Sequence, residues 1–170
     1  MAEDTVELMR HLEIASAIVV GYSDGGIIGL DMAIHHPERV TKLAVTGANA
    51  RTDGYTEENL EWTRTFDPDD LPVSDTYRRR SPDGAGHWPI FLRRLKSMWT
   101  AEPSFTREEL LGHRGADPDH RRRRRHRYTA VEMFRTIPDA QLCVVPNAGH
   151  GVMPQETILT FLQEVATGQK

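Results

Sequence analysis

The tetrapeptide Ala17-Ile18-Val19-Val20 is apolar at every position, stops at Gly21 and gives way at once to a segment with helical spacing. That junction constrains the chain more than any other feature. A short strand that is apolar on both faces belongs inside a parallel sheet covered by helices. Ile27, Leu30, Met32, Ala33 and Ile34 supply the following helix with an apolar face, and Pro37 ends it. A second buried strand is predicted from Val40 to Thr46, stopped by Gly47. Strand, helix, strand in this order is one βαβ unit of an α/β fold.

The remainder extends that frame. A short helix is predicted over 4–12, with Asp4 and Glu7 at capping-box spacing. Between about 50 and 110 no buried strand can be drawn, and eight of the twelve aromatics fall there. This predicts a helical insertion. Within it Phe91, Leu92, Leu95, Met98 and Trp99 share one helical stripe over 89–100, and a Thr106/Glu109 capping box opens a further helix. A third buried strand is expected at 141–145, then a closing helix marked by Ile158, Leu159, Leu162 and Val165. The expected architecture is therefore an α/β core at 1–50, a helical cap at 51–110, an irregular basic segment at 111–130, and a last core strand, loop and helix at 131–170.

Composition excludes several classes. A chain of 170 residues makes one domain, and 38% hydrophobic residues permit a modest core despite a mean hydropathy of −0.53. One cysteine, Cys143, excludes a disulfide framework and a cysteine-based zinc site. His113, His120 and His126 lie off zinc spacings, and His35 and His36 suit the last turn of a helix, so neither metal nor cofactor is expected. The acidic start is no signal peptide and no apolar run is long enough to span a membrane, so the expected location is the cytoplasm. The net charge is −4, with six of the 21 basic residues in one run at 121–125 and 127. A nucleic-acid-binding protein spreads basic charge over a face, so no nucleic-acid partner is expected; a tether for nucleic acid or an acidic partner is the weakest reading of the run.

Chemistry concentrates at Gly21-Tyr22-Ser23-Asp24-Gly25-Gly26, a G-x-S-x-G between strand and helix. A serine on such a turn is lifted above the sheet, small residues two positions away on either side give the turn room, and the helix N-terminus directs backbone N–H groups at a developing oxyanion. A glycine-rich turn with an incidental serine is the bland alternative.

The elbow, the stretch IIGLDMAIHHPERVTKLAVTGANA and the later IPDAQLCVVPNAGHG together resemble the α/β-hydrolase family, in its small esterase branch with valacyclovir-hydrolase-like enzymes. The resemblance covers most of the chain outside 113–129. It implies Ser23 as nucleophile, His150 in Asn147-Ala148-Gly149-His150-Gly151 as general base, the Asp24 N–H as an oxyanion donor, and a small carboxylic ester or amide as substrate. Tyr22, Trp62, Trp88 and Trp99 are candidate pocket residues; for the tryptophans, packing within the cap is an equal reading.

The pattern is incomplete in two places. The family puts several strands and a second oxyanion donor before the elbow, where this chain has about twenty residues; the crossovers required imply that on the order of 80 residues are wanting, and an exposed sheet edge through which the chain would self-associate. The triad acid should follow a strand before the last one, but that place holds His113-Arg-Gly-Ala-Asp-Pro-Asp-His120 and the arginine run. Read one nucleotide later, codons for these residues permit I-G-A-P-T-L-I-I-A-G-D-V-D-I-V-T-P, running into Ala130, which suggests a local frameshift. The acids left as candidates are Asp119, Asp117 and Asp53. The competing function is thus a catalytically impaired, truncated hydrolase fragment.

Overall fold

The computed structural model describes residues 1–112, 130–146 and 149–163. In chain order its main elements are α1 (Ala2–His11), β1 (Ala17–Tyr22), α2 (Asp24–His35), β2 (Val40–Thr46), α3 (Glu57–Thr65), α4 (Asp75–Arg80), α5 (Trp88–Ala101), α6 (Arg107–Leu110), α7 (Ala130–Thr136) and α8 (Gln155–Gln163). They divide into two compact units, 1–50 with 105–170, and 51–104.

In the first unit β1 and β2 pair in parallel, with Val19 opposite Leu43 and Tyr22 opposite Thr46. The βαβ unit forms where the sequence places it, because each part is locally specified: an apolar strand, a glycine turn, an amphipathic helix. Val6 and Met9 of α1 pack with Met32 of α2 against Ala17 and Val19. Farther along, Leu30 joins Ala48, Ala50, Phe105, Leu110 and Met133 in a second apolar cluster backed by Leu43 and Val45. Both clusters lie on the face of the sheet that α2 covers.

The opposite face is where expectation fails. Ile18, Val20 and Tyr22 are 46%, 44% and 38% exposed, so β1 is buried on one face only. Successive side chains of a strand point to opposite faces, and among the described residues helix packing over β1 covers a single one. Over β2 the second face is partly sheltered by α8, where the Lys42 ammonium lies 3.8 Å from the centre of the Phe161 ring and donates to the Phe161 carbonyl.

The predicted strand at 141–145 does not form. Its residues are exposed, Val144 by 71%, and they join no ladder among the described residues. An apolar run becomes a strand only when a neighbour offers its backbone N–H and C=O groups. Residues 113–129 lie outside the described residues, as does Val165 at the end of the predicted closing helix.

Helix starts show the same dependence on context. α1 begins at Ala2, capped by Met1, so Asp4 and Glu7 lie inside the helix and make no capping box. Asp4 instead pairs with the N-terminal ammonium at 3.1 Å, and Glu7 with Arg10. The Thr106/Glu109 box does form, with both reciprocal bonds present. His35 bonds Asp31 at 2.7 Å and His36 bonds Glu3 at 2.8 Å.

The second unit contains α3, α4 and α5, and an antiparallel bridge joins its ends at Arg51 and Ser104. Phe66 is buried under Trp62, the rings stacked at 4.7 Å, and Lys96 donates to the Phe66 carbonyl at 2.7 Å. Leu92 is the buried centre of the α5 stripe. This unit ends at Ser104; Phe105 and Leu110, expected within the insertion, lie in the core of the first unit.

Candidate active site

β1 carries the chain to the C-terminal edge of the two-stranded sheet, and Ser23 is its first residue beyond the strand. Ser23 has φ 54° and ψ −124°, a conformation that non-glycine residues rarely adopt. Such strain costs on the order of 1–3 kcal/mol and persists only where the surroundings enforce it. Here they do: the Ser23 N–H donates to the Thr46 carbonyl at 2.9 Å, and the Ser23 carbonyl accepts from Gly26 N–H at 2.8 Å.

Gly21 makes the turn possible. A Cβ there would lie 2.4 Å from the Gly25 oxygen and 2.6 Å from Gly26 Cα, both backbone atoms of α2. Gly25, assigned the same role from spacing, meets nothing within 4 Å at its own Cβ position. Only the first glycine of the motif is therefore sterically required.

Although Ser23 is the N-cap of α2, its hydroxyl makes no capping bond. It bonds instead to His150, Nε2 to Oγ at 3.1 Å, across 127 residues of sequence. The Tyr22 ring stands beside the imidazole, centroids 5.1 Å apart and planes tilted by 41°. Asp24, the first residue of α2, carries one of the N–H groups that a helix leaves outside its own ladder, the group expected to face an oxyanion.

The structure thus brings Ser23, His150, Tyr22 and Asp24 together within the first unit. No carboxylate among the described residues hydrogen-bonds the His150 ring. Asp117 and Asp119 lie outside the described residues. Asp53 belongs to the second unit, where the Arg51 Nε lies 3.5 Å from its Oδ1. Trp88 donates its Nε1–H to the Leu71 carbonyl at 3.1 Å and packs on Tyr77 and Phe91, a structural role within the second unit. Trp62 stacks on Phe66. Trp99 lines a cavity of about 150 Å³ in the same unit with Asp53, Leu60, Thr63 and Arg64.

Sequence reasoning missed Gly47. It serves there as a strand stop, yet with φ 64° it lies directly against His150. A glycine after a strand is too common a signal to have revealed that contact.

Residues 1–82 match the sequence profile of the α/β hydrolase fold. The chain has the α/β-hydrolase fold. RutD of Caulobacter vibrioides, provisionally named a carbamate hydrolase, is 38% identical over 93 residues, covering 54% of this chain and 31% of that protein. RutD of Serratia proteamaculans is 38% identical over 119 residues, 68% of this chain and 39% of its own length. The chain thus matches between about three tenths and two fifths of the length of these relatives. Among solved structures, the enol-lactonase from Burkholderia xenovorans superposes with a TM-score of 0.52 at 19% identity, covering 97% of this chain and 70% of that one. A non-heme bromoperoxidase homologue from Mycobacterium tuberculosis, BpoC, gives a TM-score of 0.61 at 18% identity, over 100% and 74% of the two chains. In this family the G-x-S-x-G strand-to-helix turn carries a nucleophile. No helix among the described residues is long and apolar enough to cross a membrane.

Proposed function

We propose that this protein is a serine hydrolase that cleaves a small carboxylic ester or amide through an acyl-enzyme on Ser23. The observation that carries the reading is the 3.1 Å bond from His150 Nε2 to the hydroxyl of a serine held at positive φ on a strand-to-helix turn. His150 takes the hydroxyl proton as Oγ attacks the carbonyl carbon, and the Asp24 N–H receives the charge that develops on the carbonyl oxygen. The tetrahedral species expels its alcohol or amine, protonated by His150. Water, deprotonated in turn by the same imidazole, then releases the acid and restores Ser23. Carbamate hydrolase and enol-lactonase, the names borne by a relative and a structural neighbour, both denote attack at an acyl carbon.

A slower variant of the same reading is favoured by one feature. Among the described residues no carboxylate bonds the His150 ring, the partner that in a triad orients the imidazole and stabilises its protonated form. Loss of that partner in a triad enzyme lowers kcat by about 10⁴ while leaving residual catalysis. The expectation is a serine that reacts with an activated acylating or phosphonylating probe, together with slow turnover of unactivated esters.

A fluorophosphonate probe tests this on the purified chain, since an activated serine reacts with it far faster than an ordinary one. Labelling that disappears in both Ser23→Ala and His150→Ala supports the assignment. A folded chain that stays unlabelled, or a label mapped elsewhere, refutes it.

A further inference from the structure

We propose that Gly47 is a positioning residue for His150: the missing side chain at 47 is what allows the imidazole to sit within reach of the Ser23 hydroxyl. The inference rests on the assignment of Ser23 and His150 as nucleophile and base, and adds a residue that touches neither substrate nor reacting atoms. A Cβ at position 47 would stand 2.8 Å from His150 Cε1, 3.0 Å from its Nδ1 and 3.5 Å from Tyr22 Cε2. The first distance is shorter than carbon atoms tolerate, since non-bonded carbons rest at roughly 3.5–4.0 Å.

Something must move, and the surroundings decide what. Gly47 directly follows Thr46, whose carbonyl holds the Ser23 N–H, so the backbone at 47 is tied to the nucleophile's own turn. Tyr22 closes one side of the space, its ring already 5.1 Å from the imidazole centroid. His150 is exposed, so its ring yields. A displacement on the order of 1 Å either stretches the 3.1 Å Nε2 to Oγ bond past hydrogen-bond range or compresses it into a clash. Gly47 also has φ 64°, so a substitution carries backbone strain in addition to the collision.

Gly112 separates these two costs. Its φ is 63° and a Cβ there meets nothing within 4 Å, so Gly112→Ala brings the strain without the collision. In the full chain, Gly47→Ala is expected to slow fluorophosphonate labelling of Ser23 by about 100-fold, the penalty of a misplacement near 1 Å. Gly112→Ala should label like the parent. Gly47→Asn covers the case of a poorly folding alanine variant, because asparagine tolerates positive φ while carrying the same Cβ; it too should label slowly. Stability offers a readout independent of chemistry: in a His150→Ala background the urea midpoint shift caused by Gly47→Ala should shrink to that caused by Gly112→Ala. An equal shift in both backgrounds overturns the contact while leaving the catalytic assignment intact. Parent-like labelling of Gly47→Ala overturns the positioning role, and an unlabelled parent chain overturns the catalytic assignment and the positioning role with it.

Discussion

The Tyr22 ring leans on the His150 ring at a centroid distance of 5.1 Å, so the residue immediately before Ser23 braces the imidazole that bonds the Ser23 hydroxyl. One strand end therefore supplies both the hydroxyl and a wall for its partner. Tyr22 was expected as a pocket residue; its observed contact is with the His150 ring.

The first prediction concerns that wall. A tilted aromatic pair is worth about 0.5–1.5 kcal/mol, which corresponds to as much as about tenfold in a rate that depends on the ring's position. Tyr22→Ala should lower the labelling rate of Ser23 by up to that factor, and Tyr22→Phe should leave it near the parent value, because the ring rather than the hydroxyl makes the contact. Equal losses in the two variants would move the role to the hydroxyl.

Lys42 carries the second prediction. Its ammonium docks α8 onto β2 through both the Phe161 ring and the Phe161 carbonyl. A part-buried cation over an aromatic face and one charge-assisted hydrogen bond are together worth about 2–4 kcal/mol. Lys42→Met, which keeps the apolar stem, should lose about that much by urea unfolding. Phe161→Leu should lose less, because the carbonyl remains as acceptor.

What could be read from the sequence was local. The β1 turn into α2 is specified by consecutive residues, and the capping box at Thr106 by a spacing of three. The same spacing at Asp4 and Glu7 failed because the helix had already begun at Ala2, which a pattern of two residues cannot reveal. Non-local matters were out of reach. The apolarity of Ile18 and Val20 says nothing about whether a second layer covers them, and the run at 141–145 carries strand character without a neighbour to pair with. His150 was singled out by resemblance to a family; no sequence feature across the separation of 127 positions places its ring on Ser23. Gly47 shows the limit most clearly, since its role depends on a ring from a loop about a hundred residues later.

Thr106 gives a third test, of a cap legible in advance. Its Oγ1 accepts from the Glu109 N–H at 3.1 Å while the Glu109 carboxylate accepts from the Thr106 N–H at 2.6 Å. Replacing an N-cap threonine by alanine costs about 1 kcal/mol. Thr106→Ala should show that loss by urea unfolding, amplified in no other property, because α6 contributes Leu110 to the first unit's core without touching the site. Asp4→Ala, which removes an exposed partner of the N-terminal ammonium and no cap, should leave stability almost unchanged.

The two outer glycines of the elbow make opposite predictions. At Gly21 a methyl group would collide with the backbone of α2, 2.4 Å from the Gly25 oxygen, and backbone held at both ends by β1 and α2 cannot yield as a flexible side chain would. Overpacking of this kind costs about 1–3 kcal/mol, so Gly21→Ala should lower the urea midpoint and, by prising the turn open, abolish Ser23 labelling. Gly25 lies in the first turn of α2 with open space at its Cβ position. Alanine there removes the entropic cost of a helical glycine, about 0.5–1 kcal/mol, and should raise the midpoint while preserving labelling. Had both glycines been needed for the turn, both variants would fail alike. Their divergence, read from two midpoints and two labelling rates, therefore checks the geometry of the elbow separately from the assignment of its serine.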